Sequence, residues 1–217
     1  MKTVDRPATF LALGDSYTIG ETVASDQRWP AQLLRRLRHD GFRVEKPKIV
    51  AKTGWTTDEL SAAMDEAGLH PPYDLVSLGI GVNDQYRGRE ADSVAPRFEA
   101  LLERAIGLAG DRPGHVIVFS IPDWGVTPFA RKDDRGAAEI GRQIDAYNRI
   151  ERDITQRHHA HWVDVTDISR HVADDILLVA NDGLHPSPRQ YREWVNRILP
   201  VAREILAGFR SGKAPDK

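Results

Sequence analysis

Stretches that are apolar at every position, rather than at every second one, set the strongest limit on how this chain can fold. Val116-Ile-Val-Phe119 and Phe10-Leu-Ala-Leu13 leave no polar face. Such a strand must be covered on both sides, as in a parallel sheet with helices on each face. The strand candidates are Thr9–Leu13, Lys48–Ala51, Asp74–Ile80, His115–Ile121 and His161–Val165. Short continuous apolar runs bounded by breakers are the pattern expected of buried strands.

Longer segments with helical periodicity lie between them. Arg28–His39 puts Leu33, Leu34 and Leu37 on one face and Pro30 in its first turn, where proline is tolerated. Thr56–Ala67 opens with Thr56 followed three residues later by Glu59, a capping-box pattern. Glu90–Leu108 carries Val94, Phe98, Leu101, Leu102 and Ala105 at helical spacing. Arg135–His158 carries Ile140, Ile144, Tyr147, Ile150 and Ile154, and Ser187–Phe209 carries Tyr191, Trp194, Val195, Ile198 and Ile205. This alternation predicts an α/β fold with right-handed crossovers and helices on both faces of a parallel sheet. Residues 1–209 read as one domain, without internal repeats, and residues 210–217 as a disordered tail.

Ligands of open parallel sheets bind beyond the carboxyl ends of the strands. Ser16 follows the first strand, Gly54 the second and Asn83 the third, while Asp182 and His185 come after the fifth. The fold therefore gathers these residues at one sheet edge. A serine hydroxyl becomes a nucleophile when a base takes its proton, and a histidine is an effective base when a third group fixes its tautomer. Ser16, His185 and Asp182 supply those residue types. Acyl transfer also needs donors aimed at the developing oxyanion; the Ser16 and Gly54 N–H groups and the Asn83 amide are the candidates. Each has a plainer reading alone. Gly14-Asp15-Ser16 can be a turn or helix cap, Gly54 can simply make a turn, and Asn83 can cap the third helix. Asn181-Asp182-Gly183 is strong turn chemistry. The joint placement of all five favours the chemical reading.

Composition narrows the class. The 217 residues include 30 Lys plus Arg and 32 Asp plus Glu, and a net charge of -2 points to neither nucleic acid nor an anionic membrane as partner. No cysteine is present, so neither a disulfide nor a thiol enters the chemistry. Asp5, Arg6 and Pro7 interrupt any signal core, and no apolar run approaches a membrane span, so a cytoplasmic location without integral membrane association is expected.

Gly14-Asp15-Ser16-Tyr17, Gly54, Gly81-Val82-Asn83-Asp84 and Asp182-Gly183-Leu184-His185-Pro186 together resemble the four blocks of the SGNH/GDSL hydrolase family, in order and across nearly the whole chain. The resemblance implies a flavodoxin-like three-layer fold with strand order 2-1-3-4-5. It implies Ser16 as nucleophile, Asp182 and His185 as the rest of a triad, and Ser16, Gly54 and Asn83 as the oxyanion hole. It calls for no cofactor. Tyr17 departs from the leucine in the family's name, which bears on packing beside the nucleophile. No Gly-x-Ser-x-Gly elbow is present.

The expected activity is hydrolysis of a small-molecule carboxylic ester through an acyl-enzyme. Acyl transfer to an alcohol and thioester cleavage would use the same residues, and a non-catalytic binding module is the alternative of another class. Trp55, Trp124 and Phe129 are the candidate pocket aromatics, and the lack of a long insertion points to short acyl chains. His158, His159 and His161 read as the polar end of a helix entering a strand rather than as metal ligands; Asp133, Asp134, Asp174 and Asp175 read as solvated surface charge. Oligomeric state has no sequence signal here.

Overall fold

Successive residues of the central strands enter different cores. In the computed structural model, which describes residues 6–209, the strands are β1 (Phe10–Gly14), β2 (Lys48–Ala51), β3 (Leu75–Gly79), β4 (Val116–Phe119) and β5 (His161–Val163). All are parallel, in the order β2-β1-β3-β4-β5. The predicted tail lies outside the described residues.

On one face, Phe10, Ala12, Ile117 and Phe119 pack with α2 (Trp29–His39) and α8 (Pro188–Ile205). On the other, Leu11, Leu13, Val116 and Val118 pack with α3 (Thr57–Glu66) and α5 (Ala91–Leu108). Side chains alternate across a strand, so a strand feeding two cores must be apolar throughout. Each fully buried Leu, Ile, Val or Phe contributes about 1.5–3 kcal/mol. α6 (Ala137–Arg157) reaches both cores, with Ile140 and Ile144 in the first and Ile154 in the second.

Helix boundaries follow local chemistry. Glu59 accepts from the Thr56 N–H at 2.8 Å, as the capping box requires. The Ser187 hydroxyl accepts from Gln190 N at 3.3 Å and starts α8. The last predicted helix is not continuous to Phe209: it stops at Ile205, and Ala207–Phe209 forms a separate 3-10 turn. β3 starts one residue later than predicted because Asp74 turns to Arg6 and Thr9, accepting from Thr9 N at 2.9 Å. Three short helices escaped the periodicity argument: α1 (Ser16–Ile19), α4 (Val82–Tyr86) and α7 (Thr166–Arg170). Each has at most one or two turns, too little for a period to show.

Packing adds detail at two positions. Asp133 is a surface carboxylate that accepts from Arg135 at 2.8 Å, and that guanidinium holds its carboxyl down at about 2. On α6, Ile150 is partly buried and packs on the second core, while Glu151 beside it is fully buried.

Candidate active site

The carboxyl ends of β1, β2 and β3 each pass directly into a residue of interest. β1 runs into Asp15, which caps α1 by accepting from the Tyr17 N–H at 3.0 Å. Ser16 is the first residue of α1, so its own N–H has no partner within the helix. The side chain is 4% exposed. After β2, Gly54 takes φ +84°, and a Cβ there would meet nothing within 4 Å. Glycine is therefore required by backbone conformation rather than by crowding. After β3, Gly81 takes φ +114° and starts α4, which carries Asn83. Asn83 thus lies inside α4 and does not cap the following helix.

The Asn83 amide donates to the Trp55 carbonyl at 2.9 Å. That bond uses one amide hydrogen and leaves the second for another acceptor. The Gly54 carbonyl accepts from Arg87 at 2.7 Å, and Arg87 also meets Glu59 at 3.2 Å. Asp84 is fully buried and accepts from Thr57 N at 2.9 Å and Arg89 at 2.6 Å. It ties the start of α3 to α4. Sequence reasoning gave no role to Arg87 or Asp84; the acid directly after Asn83 was the available signal for the second.

Asp182 and His185 form a close pair. His185 Nδ1 lies 2.5 Å from Asp182 Oδ2, while Asp182 Oδ1 accepts from the N–H groups of Leu184 and His185 at 2.9 and 3.0 Å. Burial would raise the Asp182 carboxyl, but the imidazole and these two N–H groups together hold it below the usual carboxylate range. The loop is closed by the Ala180 N–H donating to the His185 carbonyl at 2.7 Å. Tyr17 packs against the imidazole, ring centroids 5.3 Å apart, and against Trp194 at 6.2 Å. The departure noted at Tyr17 therefore places a ring beside the histidine.

Ser16, Gly54, Asn83 and His185 line one cavity of about 150 Å³. Its remaining walls include Val82, Tyr86, Trp124, Phe129 and Leu184. Trp124 is fixed by donating to Gln85 at 2.8 Å, and it packs edge-on to Tyr86 at 5.4 Å and Phe129 at 6.0 Å. Two of the three predicted aromatics thus meet at the cavity. Trp55 does not: the turn at Gly54 sends its ring onto the core of Leu60 and Met64, and only its carbonyl serves the site. No hydrogen bond joins Ser16 to His185 among the described residues, an openness common before substrate binds.

Burial shapes the charges beneath. The Asp15 carboxyl is pushed up to about 7, chiefly by burial and against the bond from Tyr17, with Asp84 adding to the rise. Of the three histidines near β5, His158 meets Glu99 at 2.7 Å and His161 the Gly114 carbonyl at 3.1 Å. Among the described residues, no group of three or more His, Cys, Asp or Glu side chains is arranged to hold a metal. No helix among them is long and apolar enough to cross a membrane.

Several solved structures share this fold. "TesA" superposes with a TM-score of 0.71 at 19% identity, over 91% of this chain and 99% of that one. The lipase/acylhydrolase from Enterococcus faecalis gives 0.69 at 20% identity, over 95% and 100%. Axe2, an acetylxylan esterase from Geobacillus stearothermophilus, gives 0.68 at 20% identity, over 93% and 96%. No curated protein matches the sequence. The model of the GDSL-like Lipase/Acylhydrolase family, in contrast, matches residues 12–193, from β1 into α8. The chain belongs to that family and is a carboxylic ester hydrolase of the GDSL type.

Proposed function

We propose that the chain cleaves short-chain carboxylic esters through an acyl-enzyme on Ser16, with His185 as general base and Asp182 orienting it. The observation that carries this reading is the 2.5 Å Asp182–His185 pair on the loop that brings the imidazole into the cavity of Ser16, Gly54 and Asn83. His185 takes the Ser16 proton through Nε2, because Nδ1 is committed to Asp182. Ser16 Oγ adds to the ester carbonyl. The N–H groups of Ser16 and Gly54 and the second Asn83 amide hydrogen receive the oxyanion. Protonated His185 then gives its proton to the departing alcohol oxygen. Water, deprotonated in turn by His185, releases the carboxylic acid and restores the serine.

The acyl side faces Tyr86, Trp124 and Phe129, and 150 Å³ suits a short chain. Hydrolysis of p-nitrophenyl esters from acetate to palmitate tests both claims. Wild type should turn over the short esters best, and Ser16→Ala should lose turnover and labelling by a fluorophosphonate. Unchanged turnover in Ser16→Ala defeats the nucleophile assignment. A rate rising steadily to palmitate defeats the short-chain assignment.

A further inference from the structure

The turn that carries the Gly54 N–H has little packing to hold it in place. A Cβ at Gly54 would meet nothing within 4 Å, and Lys52 and Thr53 beside it are exposed. The turn's own bond, from the Trp55 N–H to the Lys52 carbonyl, is long at 3.3 Å. Glycine itself opposes neither a change of φ nor one of ψ. The turn is held from outside instead. Asn83 lies in α4 and Arg87 caps its end, one helical turn on and on the same face, with the Arg87 N–H donating to the Asn83 carbonyl at 3.1 Å. The Asn83 amide grips the Trp55 carbonyl at 2.9 Å, and the Arg87 guanidinium grips the Gly54 carbonyl at 2.7 Å. One helix face thus holds two consecutive carbonyls. On the other side of the Gly54 N–H, the Thr53 hydroxyl donates to Glu21, just past α1.

Arg87 differs from an ordinary surface arginine in what it holds. Its acidic partner Glu59, 3.2 Å away, is itself fixed, accepting from the Thr56 N–H at 2.8 Å and the Thr56 hydroxyl at 3.0 Å. Nη2 of Arg87 makes both contacts, to Glu59 and to the Gly54 carbonyl. The guanidinium is planar with its donors in a rigid fork, so the anchored carboxylate on one side aims it at the carbonyl on the other. Exposed ion pairs contribute little to stability. Oxyanion donors, in contrast, must reach an oxygen within a window of about 2.7–3.1 Å. A misplacement of about 1 Å can cost on the order of 10²-fold in rate. Loss of Arg87 should therefore be felt in the rate far more than in the fold.

We propose that Arg87 is a positioning residue for the oxyanion hole: it lies outside the catalytic cavity and acts by fixing the Gly54 turn, and so the Gly54 N–H, against α4. The proposal rests on the hydrolase reading above. Arg87→Ala, Arg87→Lys and Arg97→Ala are compared with wild type on p-nitrophenyl acetate, with kcat counted per reactive serine and Tm measured alongside. Arg97→Ala is the control, because it breaks a comparably exposed ion pair, with Asp58 at 3.2 Å, that does not touch the turn. Arg87→Ala should lower kcat by about 10–100-fold, change KM little, and lower Tm no more than the control does. Guanidinium chloride, far below unfolding concentrations, should restore kcat severalfold in Arg87→Ala and leave wild type unchanged, whereas sodium chloride at the same strength should restore nothing. Arg87→Lys keeps the charge but not the fork. It should show the same split in smaller degree, and it supplies the reading where Arg87→Ala does not fold. Full kcat per reactive serine, a loss confined to KM, or a kcat loss that guanidinium leaves in place would overturn the assignment. Wild type inert on the ester would remove the hydrolase reading itself, and the role of Arg87 with it.

Discussion

Glu151→Gln should stabilise this protein, and increasingly so as pH rises. Glu151 sits on the buried stripe of α6, 2% exposed, with neither carboxyl oxygen hydrogen-bonded among the described residues. Its Oε1 packs so near Gly81 that a Cβ there would fall 2.5 Å away. Burial, and then the negative neighbours Asp84 and Asp15, push the Glu151 carboxyl well above its usual value. The folded protein therefore holds a proton that the unfolded chain releases near pH 4.3. For a raised carboxyl, the stabilisation is complete below the unfolded value and is lost as pH climbs toward the folded one. Linkage sets the slope at about 1.36 kcal/mol per pH unit. As pH rises above the unfolded value, wild type should lose stability at up to that slope relative to the glutamine variant, which has the same shape and no proton to lose. In a chain of this size each kcal/mol corresponds to about 2–4 °C in Tm. Thermal unfolding of both proteins from pH 4.5 to 8 reads the difference, and the carboxylates common to both largely cancel. The curves should nearly meet at pH 4.5 and diverge above it. Parallel curves across that range would refute a proton-bearing Glu151.

Other variants test the site. Asn83→Ala should reduce kcat by about 10²–10³-fold with little change in KM, as loss of one oxyanion donor does; an effect confined to KM would place Asn83 in ground-state binding. Asp182→Asn should cut kcat by on the order of 10⁴-fold, because an amide no longer selects the Nδ1–H tautomer; retained turnover in steady-state assays would exclude Asp182 as the orienting group. Gly54→Ala should cost about 1–2 kcal/mol, since only its positive φ opposes a side chain. Gly81→Ala should cost more in urea unfolding, because its Cβ also meets Glu151; equal costs would show that Glu151 yields freely.

The fold was legible because its cause is local and repeated. Strands covered on both faces need side chains that are apolar at every position, and Leu11 and Ala12 of β1 enter opposite cores. Helices of three or more turns show their period, so α2, α3 and α5 begin and end within a residue or two of expectation. The site blocks were equally legible, since Gly54 and Asn83 follow strands whose carboxyl ends converge. Tertiary structure decided what one-dimensional spacing does not encode. It turned Trp55 away from the cavity, because a positive φ at Gly54 redirects the next side chain. It buried Glu151 of α6 more deeply than its neighbour Ile150, which packs on the second core only in part, because a small rotation of a helix decides which of two neighbours is buried. It set Tyr17 against His185 and brought Arg87 to the Gly54 carbonyl, contacts between residues far apart in the chain that depend on how α4 and α8 seat on the sheet. Periodicity reports which face of an element is apolar; only packing reports what each face meets.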